Sequence, residues 1–140
     1  MSEQVTAVIP HLVVDDASAA LEFYKKALGA EEVMRVPADD GKRLLHSEIK
    51  VGDASIYVRD AFDEHCQGGK DGTPKALGGT PVTLHLRVKN CDAAVDRAAK
   101  AGATVVMPPE DAFWGDRYAL VTDPFGHAWS FAHALVPQPA

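Results

Sequence analysis

The feature that most constrains the fold is an internal repeat that relates the two halves of the chain. The segment His11–Val14 matches His85–Val88, and Leu28–Ala30 matches Ala101–Ala103. The offset between the paired segments stays at about 73 residues, as expected after an internal duplication. The chain is therefore predicted to contain two copies of one supersecondary unit.

Hydrophobic periodicity predicts the same order of elements in each copy, namely a strand, a helix and three further strands. A third match, of Val51–Asp53 with Val121–Asp123, extends the repeat to the turn before each last strand. The predicted elements are strand Val8–Val14, a helix ending at Gly29, strands Glu31–Pro37, Leu44–Val51 and Ala54–Arg59, a loop over Asp60–Thr80, strand Pro81–Val88, helix Asn90–Ala101, strand Thr104–Met107, a loop over Pro108–Trp114, and strands Arg117–Thr122 and His127–Phe131.

One copy cannot bury both faces of its sheet, so the two copies are expected to share a core. The predicted fold class is α+β, with two βαβββ modules that form an open mixed β-barrel with helices outside and a cavity within. We expect one domain over residues 1–140, with module 1 at about 5–60, a glycine-rich linker at 61–80 and module 2 at about 81–134. The sequence leaves open whether a barrel forms within one chain or between modules of two chains.

The composition narrows the possible partners. A formal net charge of −6 argues against a nucleic-acid backbone as partner. No apolar run approaches the ~20 residues that span a bilayer, and the N-terminus lacks the pattern of a signal peptide. The two cysteines, Cys66 and Cys91, match no metal spacing and are expected to be reduced thiols. We therefore expect a cytoplasmic protein that binds neither nucleic acid nor a membrane.

Strand alternation predicts which side chains face the cavity. In the strand after the linker, Thr83, His85 and Arg87 lie opposite an apolar side that should pack under a helix. His11 faces the cavity from the first strand, and Glu48 shares a face with His46 and Lys50. The small face of the last strand is predicted to line the cavity, and it consists of Ala128, Ser130 and Ala132.

Four segments carry a resemblance to a known family: Ile9–Val14, Ala20–Tyr24, Phe113–Tyr118 and Asp123–Trp129. With them the chain resembles the vicinal oxygen chelate superfamily, which includes glyoxalase I, bleomycin-resistance proteins, fosfomycin-resistance enzymes and extradiol dioxygenases. The sequence is most similar to its PhnB-like, glyoxalase-like branch. The resemblance implies paired-module barrels that are usually dimeric. In the enzymes, it implies a divalent metal held by a His or Gln on the first strand of each module and a Glu on a later strand of each.

At most of these positions this chain has a residue that is not a suitable metal ligand. The resemblance places the first-strand positions on Ile9 and Thr83, and the second acidic position on Ser130. Isoleucine cannot ligate a metal, and hydroxyl groups are poor ligands for transition metals. Only Glu48 lies near an expected acidic position. No cofactor is therefore favoured.

Alternatives remain for several of these side chains. His11, Glu48 and His85 are candidates for a displaced site that would hold Zn, Ni, Mn or Fe, or the histidines are polar groups of the cavity wall. Glu48 is also a candidate general base. Trp114 either stacks on a ligand or closes the barrel edge, and Arg87 requires a carboxylate partner, either Glu48 or an anionic ligand.

The favoured hypothesis is a homodimeric, resistance-type protein that holds a small organic ligand in the cavity without a catalytic metal. Its predicted ligand-binding residues are His11, Thr83, His85, Arg87, Trp114 and Ser130. The competing hypothesis is a divalent-metal-dependent lyase, isomerase or dioxygenase of the same superfamily that uses His11, Glu48 and His85. A third possibility is a domain without a ligand of its own.

Overall fold

Each half of the chain forms its own four-stranded sheet with one helix packed on it, in the computed structural model, which describes residues 4–136. The first module contains β1 (His11–Val14), α1 (Ala17–Leu28), β2 (Glu31–Pro37), β3 (Leu44–Val51) and β4 (Ala54–Asp60). The linker contains a 3₁₀ turn (Asp63–His65) and a short helix, α2 (Pro74–Leu77). The second module contains β5 (Thr83–Arg87), α3 (Cys91–Ala101), β6 (Thr104–Asp111), β7 (Asp116–Thr122) and β8 (Ala128–Ala134).

The two sheets have the same topology, which confirms the predicted repeat. Their strand orders are β1-β4-β3-β2 and β5-β8-β7-β6. The first strand of each module runs parallel to the last, with His11 beside Tyr57 in one sheet and His85 beside Ser130 in the other. His11 and His85 therefore occupy equivalent positions in the two modules.

Strand pairing corrects the third sequence match. Val51 pairs with Ala54 across a two-residue turn. In the second module the N–H of Asp123 donates to the carbonyl of His127, with three residues between them. The structural counterpart of Asp123 is therefore Val51 rather than Asp53, because the second turn is one residue longer.

The start of each helix is held by its own cap and by the last strand of its module. Asp16 caps α1, and the carboxylate of Asp60 at the end of β4 accepts the N–H of Ala17 at 2.9 Å. Asn90 caps α3, and Nδ1 of His133 in β8 accepts the N–H of Cys91 at 2.7 Å. These bonds satisfy N–H groups that have no partner within a helix.

The main contact between the modules is the packing of α1 on α3, and each helix also covers its own sheet. The two helices thus pack on each other as well as on their own sheets. Over residues 4–136 the two sheets do not close into a barrel. The α+β class and the two βαβββ modules are confirmed.

Within residues 4–136, each sheet has one face that no helix covers. We call these the first open face, which carries His11, His46, Glu48, Ser55 and Tyr57, and the second open face, which carries Thr83, His85, Arg87, Tyr118 and Ser130. The other faces supply the core, where Val14, Ile49, Val58, Val121, Trp129 and Phe131 are buried.

Two segments predicted as loops contain regular structure. The linker folds against the first module because the carboxylate of Asp71 pairs with Arg59 of β4 and accepts the N–H of Phe62. Strand β6 continues through Pro108 and Pro109 to Asp111. Proline is tolerated there because β6 is an edge strand and its pairing is shifted between Met107 and Glu110.

No helix of the described chain has the combination of length and apolar character that crossing a bilayer requires.

Candidate functional site

The second open face places most of the predicted ligand-binding residues on one surface. Pairing of β5 with β8 sets Thr83 beside Ala128, His85 beside Ser130 and Arg87 beside Ala132. The Nδ1 atom of His85 lies 2.7 Å from the hydroxyl oxygen of Ser130. The small face of β8 therefore lies on the side of His85, as the sequence predicted, while Trp129 and Phe131 are buried on the opposite side.

A series of aromatic rings extends from this surface to the loop between β6 and β7. The rings of His85 and Tyr118 are stacked with centroids 6.1 Å apart, and Trp114 meets Tyr118 edge to face at 5.9 Å. Phe113 continues the series at 5.2 Å from Trp114, and its side chain is 98% exposed. Trp114 is also exposed. The series offers an accessible π-surface, since aromatic rings stack on planar groups at separations of this size.

The first open face contains a second ring cluster, formed by His11, His46 and Tyr57. The ring centroids of His46 and Tyr57 are 4.6 Å apart, and that of His11 lies 5.6 Å from Tyr57 and 6.1 Å from His46. Partial burial, followed by the positive charge of Arg59 and the neighbouring His46, lowers the pKa of His11 below its usual value. Its neutral imidazole, which can accept a hydrogen bond, is therefore favoured at neutral pH.

Glu48 lies on the same face but is already hydrogen-bonded. Its Oε2 atom accepts a hydrogen bond of 3.0 Å from the hydroxyl of Ser55 on the neighbouring strand. The arginine of this face, Arg59, is held by the carboxylate of Asp71 in the linker. The arrangement holds both side chains in place, because Glu48 has a partner on the neighbouring strand and Arg59 has one in the linker.

Arg87 has a partner other than the predicted ones, and the nearby Arg117 is also paired. Arg87 pairs with Asp116 at 2.9 Å, rather than with Glu48. Arg117 does not pair with its neighbour Asp116 but with Asp92 and Asp111, at 2.6 and 2.8 Å. Alternation along β7 explains this, because residues 116 and 117 point to opposite faces of the sheet.

The donor set does not fit a metal ion within one chain. Across residues 4–136 no three His, Cys, Asp or Glu side chains lie close enough together to hold one. His11 and Glu48 belong to one sheet and His85 to the other. The three candidates of the displaced metal site are therefore not brought together by the fold of a single chain.

Three ring residues of these faces were absent from the predicted site, namely His46, Tyr57 and Tyr118. Their strands alternate in the same way as the strands of His11 and His85, so alternation was the signal that could have identified them. The sequence could not show that the three rings meet His11 or His85, since those contacts join strands that are paired only in the folded sheet.

Comparison with known proteins agrees with this architecture. Residues 5–131 match the family described as the Glyoxalase/Bleomycin resistance protein/Dioxygenase superfamily. An uncharacterized protein of Mycobacterium bovis is 53% identical over 129 residues, which cover 92% of this chain and 84% of that protein. The crystal structure of an Arabidopsis thaliana gene product superposes with a TM-score of 0.73 at 33% identity, covering 92% of this chain and 99% of the other. TioX from Micromonospora sp. ML1 superposes with a TM-score of 0.71 at 26% identity, covering 94% of this chain and all of TioX.

Proposed function

Because the chain belongs to the Glyoxalase/Bleomycin resistance protein/Dioxygenase superfamily, we propose that it binds a small planar organic molecule on its open faces and sequesters it without a catalytic metal. The observation that carries this proposal is the ring series Trp114–Tyr118–His85, which ends at the hydroxyl of Ser130. Stacking supplies affinity for a flat ring system, and His85 and Thr83 supply hydrogen bonds at its edge, while the buried hydroxyl of Ser130 is bonded to His85. The cytoplasm is the proposed location, where the free thiols of Cys66 and Cys91 stay reduced.

The same proposal includes a homodimer in which the first open face of one chain meets the second open face of its partner. The edge strands β2 and β6 are exposed along nearly their whole length, and they carry large apolar side chains. The exposed apolar residues of these strands are Val33, Met34, Val36, Val105, Val106 and Met107. Exposed apolar edges of this kind favour association, and a two-fold axis would generate two identical cavities.

Ligand binding is tested with a library of planar aromatic compounds, using thermal shift followed by calorimetry on the hits. Replacing Trp114 by alanine is expected to weaken binding of a hit by about 5- to 100-fold, since one stacked ring contributes about 1–3 kcal/mol. Leu77→Ala is the matched control, because Leu77 is an exposed apolar residue of α2 outside both open faces. A library without a single stabilising compound, or equal affinity of both variants, would contradict the proposal.

The metal-dependent alternative is favoured by one observation, which is that His11, Glu48 and His85 all lie on the two faces that the proposed dimer would bring together. Chemically, imidazole and carboxylate groups suit a divalent transition metal. Elemental analysis of the purified dimer, with turnover measured before and after a chelator, separates the alternatives. Stoichiometric Zn, Ni, Mn or Fe that restores turnover would favour catalysis over sequestration. Loss of the metal in H11A and H85A would identify these histidines as its ligands.

A further inference from the structure

A cavity of about 630 Å³ lies where the two modules meet, and its lining includes His85, the last ring of the series that begins at Trp114. The end of α1, the β3–β4 turn, the open edge of β5 and the face of α3 enclose it. Its apolar wall includes Leu28, Val51, Leu86 and Phe131, and its charged lining includes Arg97. We call it the seam cavity.

The internal repeat shows what fills the equivalent space in the other half of the molecule. There the turn after β7 packs on α1, and Phe125 is buried against Phe23 and Tyr24, with ring centroids 6.2 and 6.3 Å away. The carboxylate of Asp123 accepts the hydroxyl of Tyr24 at 2.6 Å. An aromatic ring and a carboxylate thus occupy that space together.

The seam cavity lacks both of these groups. Val51 stands at the structural position of Asp123, and the two-residue turn before β4 has no counterpart of Phe125. Arg97 stands at the position of Tyr24, since each lies five residues before the glycine that ends its helix. Arg97 therefore lines the seam cavity, whereas Tyr24, at the equivalent position of α1, is hydrogen-bonded to the carboxylate of Asp123.

The guanidinium of Arg97 is held in place by a backbone carbonyl rather than by a carboxylate. Its Nε atom donates to the carbonyl of Lys26 at 2.8 Å, and its terminal nitrogens lie beside Gly29. In the described part of the chain Arg97 forms no ion pair, whereas Arg87, which also lines the cavity, is paired with Asp116. Asp53 is the one acidic side chain of the lining and belongs to the exposed turn.

We propose that the seam cavity is a second binding site, specific for a small aromatic carboxylate. The carboxylate of the ligand pairs with the two terminal nitrogens of Arg97, which match a carboxylate in fork geometry. The aromatic ring of the ligand rests on Leu28, Val51, Leu86 and Phe131. The ligand thereby supplies what Asp123 and Phe125 supply in the other half. The cavity shares His85 and Arg87 with the second open face, but the pairing of a carboxylate with Arg97 does not depend on the proposed sequestration.

The test uses 4-phenylbutyrate as the probe and its neutral amide as the matched compound, with calorimetry and amide chemical-shift mapping on the full chain. Saturable binding of the acid is expected, with shifts at β5, α3 and the β3–β4 turn. The amide is expected to bind about 10- to 100-fold more weakly, because a hydrogen bond to a charged group contributes about 1.5–3 kcal/mol.

Variants test the role of Arg97. Arg97→Gln is expected to weaken binding of the acid by a similar factor, whereas Lys100→Gln, which removes the same charge one turn later on α3, leaves it within about twofold. Lys100 pairs with Asp96 and does not line the cavity. Val51→Asp, which gives Arg97 an internal carboxylate, is expected to lower the affinity more than Val51→Asn does.

Trp114→Ala distinguishes this cavity from the ring series. It is expected to leave binding of the acid unchanged, because Trp114 does not line the seam cavity. Four results would overturn the proposal: no saturable binding, equal binding of acid and amide, equal loss in the Arg97 and Lys100 variants, or shifts confined to Trp114 and Tyr118, which do not line the cavity. Melting curves of each variant identify any that fail to fold, and the comparison of acid with amide on the unmodified chain needs no variant.

Discussion

The hydroxyl of Tyr24 donates a hydrogen bond of 2.6 Å to Oδ2 of Asp123, and this bond joins the helix of the first module to the turn of the second. Nε1 of Trp129 donates to the same oxygen at 2.8 Å. The other carboxylate oxygen accepts the N–H groups of Phe125 and His127. One buried carboxylate therefore holds the turn in shape and fixes the two modules to each other.

Replacing Tyr24 by phenylalanine should destabilise the protein by about 1–3 kcal/mol, since it leaves a buried carboxylate one donor short. Denaturant unfolding followed by fluorescence measures the change. The control is Tyr57→Phe, because the hydroxyl of Tyr57 forms no hydrogen bond with residues 4–136, and its effect should stay below about 0.5 kcal/mol. Equal losses in the two variants would refute the role assigned to the bond.

The same tyrosine should make the fold sensitive to high pH. Burial, followed by the charge of Asp123, raises the pKa of Tyr24 well above its usual value of 10.0. The unfolded chain loses this proton first, so the stability contributed by the raised pKa is complete below pH 10 and is lost as pH rises above it. Melting curves between pH 8 and about 11 should show a steeper fall for the natural chain than for Tyr24→Phe. Parallel curves would contradict this linkage.

Phe125 and Phe113 should respond oppositely to truncation. Phe125 is buried against Phe23 and Tyr24, so Phe125→Ala should cost about 3–5 kcal/mol through lost burial and a residual cavity. Phe113 is almost fully exposed, and Phe113→Ala should change monomer stability by less than about 0.5 kcal/mol. Chemical denaturation of both variants at one protein concentration gives their free energies of unfolding. Similar losses in the two variants would contradict the prediction.

The proposed dimer should dissociate when charge is placed on its apolar edges. Light scattering of the natural chain should give twice the 15.0 kDa mass of one chain. Val36→Asp together with Met107→Asp should give monomers, because both side chains lie on exposed edge strands and a buried charge without a partner is costly. Leu77→Asp serves as the control and should remain dimeric. A monomeric natural chain would exclude the dimer.

The folded conformation of the linker should depend on the ion pair formed by Arg59 and Asp71. Asp71→Asn should cost about 1.5–3 kcal/mol, the usual range for a hydrogen bond to a charged group. The guanidinium of Arg59 holds the pKa of Asp71 well below its usual value, so this contribution is present above pH 3.8 and is lost as the pH falls further. Acid titrations of both proteins by circular dichroism should differ in this range. Asp39→Asn, in an exposed turn, should match the natural chain.

Much of the architecture could be predicted from local pattern. The bounds of β2 and β3 agree with the sequence prediction, because their turns and alternation are local properties. The C-terminal end of β6 and the linker, which was predicted as a loop, were wrong for a related reason. Pro108 and Pro109 argue against a strand unless it is known to lie at an edge, and the pairing of Asp71 with Arg59 is a contact between distant segments.

The candidate site was predicted in part. Alternation placed His85 and Ser130 on one face, where their side chains meet at 2.7 Å. It did not provide the partner of Arg87, which proved to be Asp116 on β7, nor the ring contacts of Tyr57 and Tyr118. Such contacts depend on the order of the strands in a sheet, and the sequence of a single strand does not specify that order.

The amino-acid sequence by itself determined the repeat, the βαβββ order of each module and the face of each strand that is apolar, because these follow from period and turn chemistry. Only the tertiary structure decided that α1 packs on α3, that both sheets keep an open face, and that Asp123 meets Tyr24 while Arg97 meets a cavity. The physical reason is that an apolar helix face specifies burial but not its partner. The packing of α1 on α3 depends on how the two whole modules fit together, including the additional residue in the turn after β7.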